Sequence, residues 1–295
     1  MLEKQNSEEN IELLRAMRYC YNKSKTFYAV RICISIFIPI LSISIYLFNR
    51  GSTGTSNAGV WFSVIGSMWL LIAYQIEKLE SGYIEKGAKI QEKFDINLFN
   101  IRWNNVLVGN QISPEDIRDF SSEFKGDEEK LKNWYGGLSS KHFYVNVILA
   151  QRSNLMWAIS LKRNFSILLF AVSGLYLILT IAFGFFVNMS MQEYIIKILL
   201  PSMSILIYGF KTSDELKKQS NKLEALGNSI INKFDTGNLS EINASACREY
   251  QDAIFIYNRI RSILIPEWLY WLRQPKDDEK MIQINKRLTE RSNLL

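Results

Sequence analysis

Hydrophobic positions along this chain follow two patterns that take turns. In four stretches they are nearly continuous: 29–48 (AVRICISIFIPILSISIYLF), 59–76 (GVWFSVIGSMWLLIAYQI), 165–187 (FSILLFAVSGLYLILTIAFGFFV) and 193–210 (EYIIKILLPSMSILIYGF). A helix needs about 20 apolar residues to cross the hydrocarbon of a bilayer. The third stretch meets that length outright. The second and fourth are shorter, but Trp61, Tyr74, Tyr194 and Tyr208 flank them, and such rings suit the membrane interface. The fourth holds Lys197, which must snorkel, and Pro201, which predicts a kink; a re-entrant segment is its alternative.

Elsewhere the apolar residues recur at helical spacing. Ile11, Leu14 and Tyr21 predict a helix over 8–28 that runs into the first apolar stretch. Leu79, Tyr83, Ile90 and Phe94 extend the second stretch as a helix through 77–100. Ser113-Pro114-Glu115-Asp116 is a helix start, with Ser113 as cap and Pro114 at the first helical position. Gly136 and Gly137 break the chain before a helix over 141–162, and Leu216, Leu223 and Ile230 at a spacing of seven predict a short coiled-coil-like seam. Ser240 reads as the cap of an amphipathic helix whose stripe is Ile242, Ala246, Tyr250, Ala253, Tyr257 and Ile260. Arg248, Gln251, Asp252, Arg259 and Arg261 fall mostly off that stripe, and Pro266 ends the helix before a short new turn, PEWLYWLR. No strand-like alternation appears over a useful length.

The expected fold is all-α: an integral membrane protein with four transmembrane helices in two hairpins and a helical cytoplasmic domain. Its parts are an N-terminal helix (1–28), the first hairpin (29–76), a helical insert (77–163), the second hairpin (164–210) and a helical tail (211–295).

Charge orients this layout. The two hairpin loops, NRGSTGTSNA and NMSMQ, hold one cation between them, Arg50. Residues 1–28, 77–163 and 211–295 carry 5, 13 and 14 Lys+Arg, and the net charge is +6. Cations accumulate on the cytoplasmic side of membrane proteins, so both termini and the insert are expected there. The start of the chain is too long and too polar for a signal peptide, and nothing is expected to be cleaved.

Catalytic chemistry is not expected. The cysteines are Cys20, Cys33 and Cys247, without close spacing, and His142 is the only histidine. That excludes a disulfide framework and the usual histidine-based zinc sites, and no Gly-rich phosphate loop occurs. His142 has no partner motif for a base, and Asp127-Glu128-Glu129 reads as a solvated helix start. The chain is expected to be no enzyme and to hold no metal or cofactor.

Arg248, Gln251, Asp252, Tyr257, Arg261, the run Pro266-Glu267-Trp268-Leu269-Tyr270 and Arg273 resemble the tail of one bacterial family. It is the SMODS-associated four-transmembrane family of pore-forming effectors. Arg15, Arg18, Tyr19 and Lys25 before the first apolar stretch, and the order of hairpins and cytoplasmic parts, resemble it too. The resemblance implies a multi-pass protein of the bacterial inner membrane in anti-phage defence. Such effectors accompany nucleotidyltransferases that make cyclic oligonucleotides. The nucleotide would act on the cytoplasmic part, to open the membrane part or to hold it closed. The other readings are an ordinary small-solute channel or transporter, and a membrane-tethered scaffold.

Two residue sets are candidates for function. Ser166, Ser173 and Thr180 repeat every seven residues in the third apolar stretch, as Ser35 and Ser42 do in the first. Such stripes fit the lining of a narrow aqueous path, or close packing between membrane helices. One four-helix chain has little room for a pore, so a path implies a homo-oligomer. The second set is Arg248, Arg259, Arg261 and Arg273 with Tyr257, Trp268 and Tyr270, the residue types that clamp phosphates and stack on bases. The expected partners are the lipid bilayer and a cyclic oligonucleotide, and no DNA or RNA polymer. Anionic lipid heads are the alternative ligand for these arginines, and Arg248 also suits pairing with Asp252, four residues on. The sensor fits equally within 100–163, which holds Trp103, Trp134 and Tyr135.

Overall fold

A computed structural model describes residues 2–49, 58–260 and 262–294; the side chains of 49, 58–60, 62, 63, 267, 268, 270–278 and 294 lie outside the description. Among the described residues every regular element is helical and none is a strand. The elements are α1 (Glu8–Asn49), α2 (Ala58–Phe99), α3 (Asn105–Val108), α4 (Pro114–Ser122), α5 (Phe143–Phe186), α6 (Met191–Tyr194), α7 (Leu200–Asp235), α8 (Ala244–Ile254) and α9 (Glu267–Leu294). Among the described residues, three helices are long and apolar enough to cross a membrane: Glu8–Phe48, Phe143–Phe186 and Met191–Asp235. The second apolar stretch of the sequence begins in α2, at residues whose side chains are not described.

The chain forms two compact units. Unit 1 is 1–23, 81–163 and 217–295; unit 2 is 24–80 and 164–216.

Unit 1 has one large apolar core. Leu14 and Met17 of α1, Ile90 and Phe94 of α2, Ile148 and Leu149 of α5, Leu223 and Ile230 of α7, and Ile254 of α8 are all inside it. α4 starts as its sequence requires: Ser113 accepts from the Asp116 N–H, and Pro114 occupies the first turn. α8 starts later than Ser240 predicts. Residues Leu239–Glu241 form a 3-10 turn, and Asn243 caps α8 by accepting from the Ala246 N–H at 3.1 Å. Asn has the same short acceptor as Ser, and three residues separate the two candidate caps.

The tail corrects the sequence reading further. In place of a short turn after Pro266 stands α9, 28 residues long. Its buried positions include Leu269, Met281, Asn285, Leu288, Thr289 and Ser292, half of them polar. A hydrophobic pattern cannot reveal such a face.

Unit 2 packs through small side chains and hydroxyls. A Cβ built on Gly66 of α2 would lie 3.0 Å from the Pro201 Cα of α7, and one built on Gly209 of α7 would meet Ser173 of α5 at its Cβ, 2.9 Å away. Glycine at these crossings lets the helices approach closely. The fourth apolar stretch is irregular. A capping box at Ser190 and Glu193 opens α6, a π-helical turn spans Ile195–Leu199, and α7 follows. Pro201 has no N–H, so the Lys197 carbonyl four residues back lacks its helical donor. Ser42 of α1 donates to that carbonyl at 2.6 Å. Lys197 itself reaches Glu193 at 2.7 Å and the Tyr46 ring at 5.0 Å.

Candidate functional site: a buried arginine and acid network

Arg248 and Gln251, two of the tail residues that carried the family resemblance, meet α2 in the interior of unit 1. α2 is buried nearly all round here, and Glu92 and Asp95, three apart, are fully buried with Ile90, Phe94 and Leu98. α8 brings Arg248, Gln251 and Asp252. The backbone then widens into a π-helical turn, Phe255–Arg259, that carries Arg259 into the interior. Turns of this kind often mark functional positions.

Arg259 donates to Glu92 Oε2 at 3.0 Å and pairs with Asp95 Oδ2. Arg248 reaches Glu92 Oε1 and Asp252 Oδ1, both at 2.7 Å, and donates to the Arg102 carbonyl at 2.9 Å. Gln251 lies between them, donating to Glu92 at 2.8 Å and Asp95 at 3.1 Å, and accepting from Gln151 at 3.0 Å. The Tyr135 hydroxyl donates to Asp95 at 2.8 Å and accepts from Asn154 at 2.9 Å. Asn104, the cap of α3, donates to Asp252 at 3.0 Å.

Burial opposes the charge of Arg259, but the carboxylates of Asp95 and Glu92 outweigh it and hold the guanidinium above its ordinary value. Burial, with Asp95 beside it, pushes the Tyr135 phenol well above its usual range. The phenol therefore stays a donor. Cys247, buried against this region, is pushed up to about 12 by desolvation, which leaves it an inert thiol.

Of the candidate tail cations, this geometry sets Arg248 and Arg259 against acids of unit 1. Gln251 and Arg259 lie inside because α2 supplies the acids that make their burial tolerable. Arg248 pairs with Asp252 as its spacing suggests, and with Glu92 besides. Tyr257 is half-buried: Lys222 sits 4.6 Å from its ring centroid, and its carbonyl accepts from Lys162 at 3.2 Å. Arg261 and the side chains of Trp268, Tyr270 and Arg273 lie outside the described residues. In the 100–163 region, Trp103 donates to the Gly109 carbonyl at 2.9 Å, and Trp134 packs edge-on against Phe94. His142 is exposed in a cleft of about 630 Å³ lined also by Lys141, Tyr144, Leu239 and Ser292. Among the described residues no group of His, Cys, Asp and Glu is arranged to hold a metal ion.

The candidate small polar residues of unit 2, Ser35, Ser42, Ser166, Ser173 and Thr180, face neighbouring helices or their own backbone. Ser35 accepts from the Trp69 indole at 2.9 Å and shares a hydrogen bond with Ser204 at 2.9 Å. Ser42 satisfies the carbonyl freed by Pro201. Ser166 and Ser213 each donate to the other's carbonyl, at 2.7 and 2.8 Å. Ser173 packs against Gly209, and Thr180 bonds the Leu177 carbonyl at 2.9 Å and the Tyr194 hydroxyl at 3.2 Å. Within one chain these hydroxyls are spent on packing.

Sequence reasoning missed Glu92, Asp95, Arg152 and Lys162. One signal was present for the first two. Apolar residues at 84, 88, 90, 94, 98 and 99 cover more than one face of a helix, which marks it as central and its acids as buried.

An all-helical chain with long apolar helices, and an ionic network locking its tail to a central helix, defines the class. Residues 1–288 match the model of the SMODS-associating 4TM effector domain, and the chain belongs to that family. It is 95% identical over 294 residues to a probable CBASS effector molecule of Bacillus cereus (strain VD146), covering 100% of both chains. No solved structure matches it.

Proposed function

We propose that this chain is a membrane effector of the CBASS type in anti-phage defence. In this reading unit 2 crosses the inner membrane four times, and both termini and unit 1 lie in the cytoplasm. A cyclic oligonucleotide acts on unit 1, and oligomers of unit 2 permeabilise or depolarise the membrane. The protein acts without covalent chemistry of its own.

The observation that carries the reading is the apolar surface of unit 2, in a chain that matches the effector family along nearly its whole length. Leu71, Phe170, Phe185 and Phe186 are 73, 62, 80 and 84% exposed, and Phe37, Met68 and Ile178 are exposed with them. Side chains of this kind require a lipid surround. The family match and the name of the 95% identical relative supply the defence role.

Membrane potential in cells tests it, read after induction with and without a cyclic-oligonucleotide synthase. The expected result is depolarisation that depends on the synthase, in one direction or the other. An unchanged potential in every condition would sink the pore reading.

A further inference from the structure

Arg259, buried in unit 1, faces acids. Arg152 does not. It lies on α5, 3% exposed, and its one protein partner among the described residues is the Asn285 Oδ1 of α9, at 3.1 Å. No carboxylate among those residues reaches it, although an arginine keeps its charge at any working pH. Its Nε is buried and bonded to nothing described, and so is the Thr289 Oγ1, one turn beyond Asn285 on the same face of α9.

The seam around it is built. α9 runs antiparallel to α5, since Asn285 donates to Ser153 at 2.8 Å while Ser292 meets Ser140 at 3.2 Å, just before α5 starts. Side chains on a helix lean toward its N-terminus, so Arg152 leans along the seam in the direction of Thr289. An isolated buried charge is destabilising unless it is paired, and an unbonded buried hydroxyl adds to that cost. One anionic oxygen group in the seam answers both, accepting from the guanidinium and from the hydroxyl.

We propose that Arg152, Asn285 and Thr289 form a binding site for a phosphate group carried by a small ligand or a lipid head. Filling it requires α9 to ease away from α5, which makes occupancy and the position of α9 one equilibrium. The site rests on the geometry of unit 1 and uses the function proposed above only to choose a nucleotide probe.

The test is thermal unfolding of the full-length protein in detergent. The probes are inorganic phosphate, cyclic dinucleotides, and vesicles of phosphatidylglycerol against phosphatidylcholine. At least one phosphate-bearing probe should raise the melting temperature of the wild type. Arg152→Met should lose that response. Thr289→Val should keep the fold and need roughly tenfold more probe for the same shift. Response to inorganic phosphate, to a cyclic dinucleotide or to phosphatidylglycerol alone each supports the site and identifies the source of the phosphate. No response from the wild type overturns it. So does an Arg152→Met protein that responds equally. Synthase-dependent depolarisation is read separately, so this site and the pore reading can fail independently.

Discussion

In unit 1 the large aromatic side chains are inside: Phe94, Phe99, Phe234 and Phe255 are each under 2% exposed. In unit 2 Phe37, Phe48, Phe170, Phe185 and Phe186 are exposed. The charges are arranged differently as well. Unit 1 buries a network of two arginines, three acids, glutamines and a tyrosine. Unit 2 buries a compact pair, Arg31 and Glu80, at 2.8 Å, with the Tyr28 and Tyr208 rings beside the guanidinium and their hydroxyls 2.7 Å apart. The contrast teaches what each surround permits. Against water, apolar area is the resource that folds a domain and belongs inside. Against lipid it has no such preference, and helices associate through small residues and hydroxyl bonds instead.

The comparison can be broken most forcefully at Asp95. Asp95→Ala leaves Arg259 buried with a weakened counter-charge, and the expected loss is about 3–5 kcal/mol of stability. Urea unfolding of the purified protein, followed by tryptophan fluorescence, checks it; a loss below ~1 kcal/mol would mean the network contributes little.

Gly209→Leu probes the packing of unit 2. It forces a side chain onto Ser173, and such overpacking costs about 1–3 kcal/mol. Thermal unfolding in detergent should show it, whereas Gly136→Leu, where nothing lies within 4 Å of the new Cβ, serves as the control.

Lys162 sharpens the contrast by pH. It lies in unit 1, ahead of the third apolar stretch, and its amine donates to Gln219 at 2.7 Å and to the Tyr257 carbonyl, with no acid bonded to it among the described residues. Burial pushes it down from 10.5 to about 7. The unfolded chain therefore binds the extra proton between about pH 7 and 10.5. Stability is lowest below pH 7 and rises with pH across that window, by at most about 1.4 kcal/mol per unit. Urea midpoints from pH 6 to 9 should climb in the wild type and climb less in Lys162→Met; parallel curves would remove Lys162 as the cause.

The smallest effect belongs to the half-exposed pair of Arg163 and Glu224, 2.7 Å apart. Glu224→Gln should change stability by less than about 1 kcal/mol, and less still in high salt. A larger change would mean that surface charge contributes more to unit 1 than its exposure suggests.

The sequence by itself determined the helices and where the apolar stretches run, because period and run length are local properties of the chain. Ser113 and Pro114 at the start of α4, and the buried seam of Leu216, Leu223 and Ile230, were legible for that reason. Only the tertiary structure decided what each charge meets. Arg248 and Arg259 look alike to Arg152 in the sequence. The first two find acids on α2, more than 150 residues away, and the third reaches Asn285 of α9. α9 was not legible at its full length because polar Asn285, Thr289 and Ser292 share its inner face with Met281 and Leu288, and Asn285 finds its partners on α5. Burial of a polar group depends on a partner that satisfies it, and that partner is set by three-dimensional packing, which periodicity along one helix does not encode.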